Sequence, residues 1–290
     1  MASYWTKPLT RRDLLKIGVR GGIGVCAVTG GSLGYAEFEP HWVEVTQREV
    51  TLPRLPAGFD GFRIVQISDI HLEGGDMRNL LPDFCRIVTK QAPDLIVLTG
   101  DFISITGNWL EDCLVQGLAP LQAPHGVFAI LGNHDHWTDP TIVRRALARA
   151  GIPELRNSVH LLHRQGDHLA LGGIDDFWTN CADVPHVLHQ VRHHPGGIFL
   201  GHEPDFADEI APLGAFDLML SGHSHGGQVC LPFRPPLYLP AHGRKYPRGL
   251  YQLPGLQLYT NRGLGTLGLP VRVCARPEIT VFRLRAGAQS

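Results

Sequence analysis

Five apolar segments of this chain end in residues that can bind a metal ion or transfer a proton. In chain order, these residues are Asp69 and His71, Asp101, Asn133 with His134 and Asp135, His202, and finally His223 and His225. A single Asp or His in such a place is usually a loop or capping residue. Because ligands of open α/β sheets bind beyond the carboxyl ends of the strands, five such ends predict one shared site.

The residue types in this set point to metal chemistry. Carboxylate, amide and imidazole ligands without a thiolate suit Mn²⁺, Fe or Zn²⁺, and the set is too large for one ion. Two ions about 3.5 to 4 Å apart would use it, and Asp101, in the middle of the row, is the best bridging ligand. Two divalent ions neutralise an anionic phosphate and lower the pKa of a water from 15.7 towards about 7. The set therefore predicts hydrolysis of a phosphoester.

The segments that carry these residues alternate with helical patterns. Short apolar runs predict strands buried on both faces. They lie at 63–71, 94–101, 127–135, 169–176, 197–205, 218–225, 256–263 and 278–285, with a further strand at 42–52 and helices at 80–91, 112–121, 140–150 and 184–193. The last third has strands and prolines but no clear helix. The pattern predicts an α/β (α+β) fold, a four-layer αββα sandwich of two mixed sheets flanked by helices.

Residues 222–226 also match G-x-S-x-G, the nucleophile motif of many serine hydrolases. That motif needs a helix after Ser224, then an acidic residue and then a histidine. The residues that follow, GGQVCLPFRPP, are rich in glycine and proline and disfavour a helix. The acid Glu278 comes after both downstream histidines, His225 and His242. We therefore interpret Ser224 as a spacer between two imidazoles.

Residues 263–268 match the dinucleotide-binding motif G-x-G-x-x-G. A dinucleotide site needs a helix that begins in this motif, but Leu269 and Pro270 follow, and a β-rich segment comes next. We interpret the motif as a loop near the metal site. Arg262, directly before it, stays open as a contact for phosphate.

As an ordered set, the motifs D-x-H, G-D, G-N-H-D, G-H and G-H-x-H resemble those of the calcineurin-like metallophosphoesterase superfamily. The resemblance covers residues 61–285. The closing segments, GHSHGGQVCLP and NRGLGTLGLPVRVCARPEI, are similar to the exported bacterial branch that carries twin-arginine signals.

The resemblance implies a role for each residue of the set. The first metal would be held by Asp69, His71, Asp101 and His225, and the second by Asp101, Asn133, His202 and His223. His134 would lie over the leaving oxygen, where it protonates that oxygen or stabilises charge on the phosphate. Asp135 would orient the His134 ring. Many members of the family have Glu at that position, and the shorter side chain of Asp135 would alter how firmly the His134 ring is held.

Composition excludes several other classes of protein. The 290 residues include 26 basic and 27 acidic ones, so no broad positive surface for nucleic acid is expected. The six cysteines are far apart and contain no C-x-x-C pair, which disfavours a zinc knuckle or a redox motif.

The N-terminus contains a paired arginine before an uncharged stretch. Residues 10–16, TRRDLLK, resemble a twin-arginine export signal, although a chance pair on a cytosolic helix stays open. The uncharged stretch 21–36 is 16 residues long, shorter than the roughly 20 of a membrane span.

We predict a signal or membrane anchor at 1–36, with cleavage after Ala36 left open, a strand and connection at 37–60, and a catalytic domain at 61–286. The export machinery would be a partner, and the mature protein would be periplasmic or otherwise extracytoplasmic.

The predicted reaction is hydrolysis of a phosphodiester or pyrophosphate bond, with an envelope lipid or polymer as the substrate. One alternative is a UDP-2,3-diacylglucosamine pyrophosphatase of lipid A synthesis, which the predicted export disfavours. Another alternative is an envelope-binding module whose hydrolysis is vestigial. The intact Asn133 and His134 disfavour that second alternative.

Overall fold

The computed structural model describes residues 34–287, except 74, 195, 232 and 233. Its strands are β1 (Glu44–Leu52), β2 (Arg63–Ile67), β3 (Leu95–Thr99), β4 (Val127–Ile130), β5 (Ser158–Arg164), β6 (Asp167–Gly173), β7 (Ile198–Leu200), β8 (Leu218–Ser221), β9 (Gly249–Leu253), β10 (Leu256–Thr260) and β11 (Glu278–Ala286). Its α-helices are α1 (Gly75–Lys90), α2 (Leu110–Leu118), α3 (Asn133–Thr138), α4 (Pro140–Arg149), α5 (Val184–Val191) and α6 (Ala207–Ile210).

The strands form two mixed sheets. The first has the order β1-β11-β2-β3-β4, in which β2, β3 and β4 are parallel and β11 runs antiparallel to β2. The second has the order β5-β6-β7-β8-β10-β9, with four parallel strands between the antiparallel edge strands β5 and β9. Parallel strands therefore form one side of the first sheet and the middle of the second, and their carboxyl ends open in one direction within each sheet.

Three apolar layers hold the sheets and helices together. Side chains such as Val97, Leu200 and Phe282 fill the space between the two sheets. On the outer face of the first sheet, α1, α2 and α4 pack against β2, β3 and β4 through residues such as Phe84. On the outer face of the second sheet, α5 and α6 cover Phe199 and its neighbours. The predicted four-layer αββα sandwich is confirmed.

The predicted helices agree with α1, α2, α4 and α5, but β5, β9, α3 and the four-residue helix α6 were not predicted. Strands β5 and β9 lie at the edges of the second sheet and are only partly buried, so their sequences lack the continuous apolar run of a central strand. The short helix α3 begins at Asn133, inside a segment that was predicted as the end of a strand.

Residues 1–33, which hold most of the predicted export signal, lie outside the described part of the chain. Within the described part, none of the helices has the length and apolar character that crossing a bilayer requires. The predicted boundaries of the signal, the connection and the catalytic domain stay predictions.

Candidate metal centre

The predicted site residues meet where the strands of both sheets end. Asp69 and His71 follow β2, Asp101 follows β3, and Asn133 begins the helix after β4. The second sheet contributes His202 after β7, and His223 and His225 after β8. The seven predicted ligands are each at most 5% exposed. The structure therefore brings all of them into one buried region.

The backbone of this region is unusual. Five of the predicted ligands have a positive φ: Asp69 (49°), His71 (44°), Asp101 (56°), His223 (73°) and His225 (52°). Residues other than glycine rarely adopt this left-handed conformation, and those that do cluster at functional sites. These left-handed residues follow the strands directly. They turn the candidate ligand side chains towards the site, whereas a continuing strand would point them elsewhere.

Asp69, His71 and His225 form the first cluster, in which the candidate ligand atoms all lie within 4.8 Å of one another. His225 Nε2 lies 2.9 Å from His71 Nε2 and 3.4 Å from Asp69 Oδ1. Asp69 Oδ1 also accepts a hydrogen bond from the backbone N–H of His223 at 2.8 Å, whereas Asp69 Oδ2 is buried without a partner. Two imidazole nitrogens and a carboxylate thus converge on one point.

Asp101, His202 and His223 form the second cluster. His202 Nδ1 donates to the carbonyl of Thr99 at 2.6 Å, and His223 Nε2 donates to the carbonyl of Ala241 at 2.7 Å. These bonds leave the lone pairs on His202 Nε2 and His223 Nδ1, which are both buried without a hydrogen-bond partner. Backbone carbonyls that fix the tautomer of a histidine in this way are typical of metal ligands.

Asp101 lies between the two clusters. Its Oδ2 is 3.0 Å from His202 Nε2 and 3.6 Å from His71 Nε2. Its Oδ1 accepts the backbone N–H of His134 at 2.9 Å, which holds the carboxylate in place. A carboxylate in this position can serve ions on both sides, as the sequence predicted.

Unpartnered buried atoms test whether the site fits metal ions. Asn133 is fully buried, and neither its Oδ1 nor its Nδ2 has a hydrogen-bond partner. Together with Asp69 Oδ2, His202 Nε2 and His223 Nδ1, this places several orphaned polar atoms in one region. Because buried polar groups in native proteins are almost always satisfied, these atoms need a partner beyond the described residues, which a bound cation or water can supply. Oxygen and imidazole donors without thiolate fit two divalent cations of the Mn²⁺, Fe or Zn²⁺ type.

The protonation of the histidines agrees with this fit. Burial lowers the pKa of His71 and of His223 to about 3, and it lowers the pKa of His225 well below its usual value. These imidazoles are therefore neutral near pH 7, the form that binds a metal. Burial also disfavours charge on His202, but the Asp101 carboxylate outweighs burial and raises the pKa of His202. A metal ion bound at His202 Nε2 would replace a proton there and supply the positive charge next to Asp101.

Two motif glycines are needed because the loops of the site touch each other. A Cβ on Gly100 would lie 2.7 Å from the backbone nitrogen of Gly132 and 2.8 Å from His202 Nδ1. A Cβ on Gly132 would lie 2.8 Å from His202 Nε2 and would press on the Asp101 carboxylate. These glycines bring the ends of β3 and β4 close enough for both to reach the second cluster.

Replacing Gly132 with alanine should displace His202 and Asp101 and reduce the metal content below two ions per chain. Its φ of −117° suits any residue, so the expected effect is steric and confined to the site. The measurement is metal content after dialysis against Mn²⁺. Gly34→Ala is the control, because a Cβ there meets no atom of the described residues within 4 Å. Two tightly bound ions in the Gly132→Ala variant would contradict the prediction that a Cβ at this position displaces His202 and Asp101.

His134 lies beside the two clusters and is half-buried. Its ring centroid is 5.0 Å from that of His71 and 5.1 Å from that of Trp137. Its imidazole also lines a cavity that Asn133, His223 and His225 border. The ring is thus open to a molecule in the cavity and adjacent to the candidate ligands.

The predicted contact between Asp135 and the His134 ring is wrong. The carboxylate of Asp135 is fully buried and accepts backbone N–H groups of Phe102 (2.8 Å), Ile103 (3.1 Å) and Gly132 (3.0 Å). Asp135 therefore ties the loop after β3 to the start of α3. These backbone bonds occupy both carboxylate oxygens of Asp135. Burial raises the pKa of Asp135 to about 7.

Two residues that the motifs did not identify contact the first cluster. Ser104 Oγ hydrogen-bonds to His71 Nδ1, and Arg272 Nη2 lies 3.4 Å from His225 Nδ1. Arg272 is fully buried and also donates to the carbonyls of Arg262 (3.0 Å) and Ala275 (2.7 Å). Both residues are 33 or more positions from the histidine that they contact, so no local pattern predicts them.

Arg262, which the sequence left open as a phosphate contact, forms ion pairs elsewhere. Its guanidinium lies 2.8 Å from Glu44 Oε2 and 3.1 Å from Glu278 Oε2. These pairs attach the loop after β10 to β1 and β11. The side chain does not line the cavity at the metal centre.

The cavity beside the clusters has a volume of about 450 Å³ and a largely apolar wall. The candidate ligands Asn133, His223 and His225 and the His134 ring form its polar end. The wall consists of Trp137, Trp178, Val229, Leu237, Tyr238, Pro240 and Leu267, together with parts of the loop 224–228. A molecule in this cavity would meet metal ligands at one end and apolar side chains along its length.

Comparison with known proteins identifies the family. The calcineurin-like phosphoesterase family matches residues 62–227 of this chain. The chain therefore belongs to the calcineurin-like phosphoesterases, a family of hydrolases that use a dinuclear metal site.

Several curated bacterial proteins are similar over most of their length. The metallophosphoesterase YkuE of Bacillus subtilis is 38% identical over 97% of this chain and 99% of its own length. The phosphodiesterase YaeI of Escherichia coli is 29% identical over 88% of this chain and 94% of its own. The UDP-2,3-diacylglucosamine pyrophosphatase LpxG of Chlamydia trachomatis is 32% identical over 85% of this chain and 90% of its own.

A solved structure shares the fold. The sulfate thiohydrolase SoxB of Thermus thermophilus aligns with a TM-score of 0.52 at 12% identity, over 80% of this chain and 57% of its own. At this identity, the similarity concerns the fold alone.

Proposed function

We propose that this protein hydrolyses a phosphodiester or pyrophosphate bond at two divalent metal ions. Asp69, His71 and His225 would hold one ion, Asn133, His202 and His223 would hold the other, and Asp101 would serve both. The observation that carries the proposal is the group of buried donor atoms without partners at the ends of both sheets. When bound, the ions would supply positive charge for the phosphate oxygens and lower the pKa of a water, so that hydroxide is available to attack phosphorus near neutral pH.

The side chains around the clusters would perform the remaining steps. The half-buried His134 ring borders both the clusters and the cavity, so it is placed to give a proton to the leaving oxygen or to stabilise charge on the phosphate. Ser104 would accept the Nδ1–H of His71 and keep that ring in position, whereas the Arg272 guanidinium, which can only donate, would lie against the ring of His225. The apolar cavity wall would exclude water from the leaving group.

The names of two relatives support a diester or pyrophosphate rather than a monoester. YaeI is a phosphodiesterase, and LpxG is a pyrophosphatase whose substrate carries two acyl chains. The apolar wall of the cavity favours, as a second candidate, a lipid-bearing substrate of the UDP-2,3-diacylglucosamine type.

The first experiment loads the full chain with Mn²⁺ and compares bis-p-nitrophenyl phosphate with p-nitrophenyl phosphate, before and after chelation. We expect turnover of the diester to exceed that of the monoester, and the chelator to remove it. UDP-2,3-diacylglucosamine in the same assay tests the second candidate. A chain that binds two ions and hydrolyses none of these compounds would contradict the proposal and favour an envelope-binding module.

We also propose export by the twin-arginine route, which rests on the sequence of residues 10–16. Changing Arg11 and Arg12 to lysine should keep the protein in the cytoplasm of its host, because the paired arginine is what the export receptor reads. The measurement is fractionation of cells that express the wild type or the double variant. Identical extracytoplasmic amounts of both would contradict export by this route.

A further inference from the structure

Exposed apolar side chains surround the mouth of the cavity. Five of them, which we call the rim, are Leu231, Leu237, Tyr238, Leu267 and Leu269. Tyr238 is 71% exposed, Leu269 is 70% exposed and Leu237 is 64% exposed. Large apolar side chains that are exposed together around a cavity mark a site of interaction.

Two loops build the rim, and hydrogen bonds join them into one surface. Gln228 Nε2 donates to the carbonyls of Leu267 at 3.1 Å and Leu269 at 3.2 Å. Val229 forms a bridge with Val273, and its carbonyl accepts the backbone N–H of Leu237 at 3.2 Å. Leu237, Tyr238 and Leu267 also line the same cavity. The rim is therefore a continuous surface around the mouth.

The first described residues of the chain extend this surface. Tyr35, Phe38 and Trp42 are exposed, and Arg276 lies over the Trp42 ring at 3.9 Å. The loop 264–276 holds this segment through the backbone N–H groups of Cys274 and Ala275, which donate to Glu39 at 3.0 Å and 2.6 Å.

The uncharged stretch 21–36 therefore joins the described structure beside the rim. The backbone N–H of Arg272 donates to the carbonyl of Ala36, the last residue of that stretch, at 3.0 Å. Pro40 and His41 border a second cavity together with Gly268 and Pro270 of the rim loop. The segment 35–42, with its exposed aromatic residues, thus contacts the loop 264–276, which carries the rim residues Leu267 and Leu269.

The segment of the chain that contains the rim carries charge of one sign. Residues 218–277 contain no Asp or Glu, although the whole chain has 27 acidic residues. The same segment contains seven basic residues: Arg234, Arg244, Lys245, Arg248, Arg262, Arg272 and Arg276. Arg234, Arg244 and Arg248 are exposed, and no carboxylate of the described residues forms an ion pair with them. Glu73 and Asp76 border the rim loop from the second cavity, where Asp76 lies 3.5 Å from His41 Nε2.

We infer that the rim docks the mouth of the site on an anionic lipid bilayer. Leucines and aromatic rings flanked by unpaired arginines are the composition of surfaces that insert at the boundary between headgroups and acyl chains. A protein partner would have to match both the apolar rim and an unbalanced positive charge, whereas an anionic bilayer matches both at once. This inference rests on the proposed function, and the substrate would then be a phosphoester at the bilayer surface.

The test measures sedimentation of the full chain with vesicles of phosphatidylcholine, alone or mixed with phosphatidylglycerol. The rim variant is Leu231→Glu with Leu269→Glu, since both side chains are exposed and neither lines the cavity. The matched control is Leu213→Glu with Leu250→Glu, two exposed leucines outside the rim that bring the same change in charge. Residues 21–36 are present in every variant and contribute equally.

We expect the rim variant to lose more than about tenfold in partition to the mixed vesicles, while the control binds like the wild type. A further variant, Arg234→Glu with Arg244→Glu, should lose the preference for phosphatidylglycerol without losing the fold. Equal partition of the rim variant and the control would overturn the inference. Equal binding of the wild type to neutral and mixed vesicles would also overturn it.

Hydrolysis of soluble bis-p-nitrophenyl phosphate separates this inference from the proposed function. The rim variant should hydrolyse this small diester at the wild-type rate, because neither substituted leucine lines the cavity. A wild type that binds mixed vesicles but hydrolyses no phosphoester would contradict the proposed function and support the docking alone.

Discussion

Replacing Asp101 with alanine should prevent the protein from holding two metal ions and should lower turnover of a phosphodiester by at least about 10³-fold. Its Oδ2 lies 3.0 Å from His202 Nε2 and 3.6 Å from His71 Nε2, so this single carboxylate faces both clusters. Metal content and turnover should therefore fall together.

The Asp101→Asn variant distinguishes the effect of the Asp101 charge on metal binding from the effect of its side-chain shape. Asparagine keeps a side-chain oxygen to accept the backbone N–H of His134, a bond of 2.9 Å in the wild type, but it lacks the charge that a bridging ligand supplies. We expect it to bind at most one ion tightly. Asp217→Asn is the matched control, because Asp217 is buried next to the start of β8, away from the site, and pairs with Arg54. Two ions and full activity in Asp101→Ala would contradict the proposed assignment.

The site was predictable from the sequence to the extent that it follows strand ends. Each candidate ligand stands directly after a short apolar run, and parallel strands bring such positions to one edge. The fold followed from the same runs and from the helical patterns between them. Edge strands such as β5 and β9 were not predicted because their exposed face interrupts the apolar run.

The rest of the site depends on loop conformation, which short patterns do not determine. Asp135 bonds to backbone N–H groups that only become neighbours once Asp101 takes a left-handed conformation before Phe102. Arg272 reaches His225 from a loop 47 positions away. The cavity wall combines side chains from separate segments of the chain, so its apolar character is not readable from any one of them.

The rim and the metal centre are connected through Arg272, although the two are built from different residues. The side chain of Arg272 contacts His225, and its backbone N–H bonds to Ala36 at the start of the described chain. A contact of the N-terminal segment with a membrane would therefore act on the same loop that supports the first cluster. The N-terminal segment and His225 thus contact the same residue, Arg272.

Replacing His134 with alanine should leave both ions bound and lower turnover by about 10²- to 10⁴-fold, the usual contribution of a proton-transferring side chain. The ring is half-buried and makes no contact with the second cluster beyond the backbone bond to Asp101, which alanine retains. Metal content should therefore equal that of the wild type. His163→Ala, at an exposed position of β5, controls for the loss of a histidine.

Esters with different leaving groups distinguish the two roles proposed for His134. If the ring protonates the leaving oxygen, His134→Ala should lose far more activity with an alkyl ester than with p-nitrophenyl esters, because p-nitrophenolate leaves without a proton. If the ring stabilises charge on the phosphate, both esters should lose activity by the same factor. Unchanged turnover of both esters would remove His134 from the mechanism, and loss of a metal ion would make it a ligand instead.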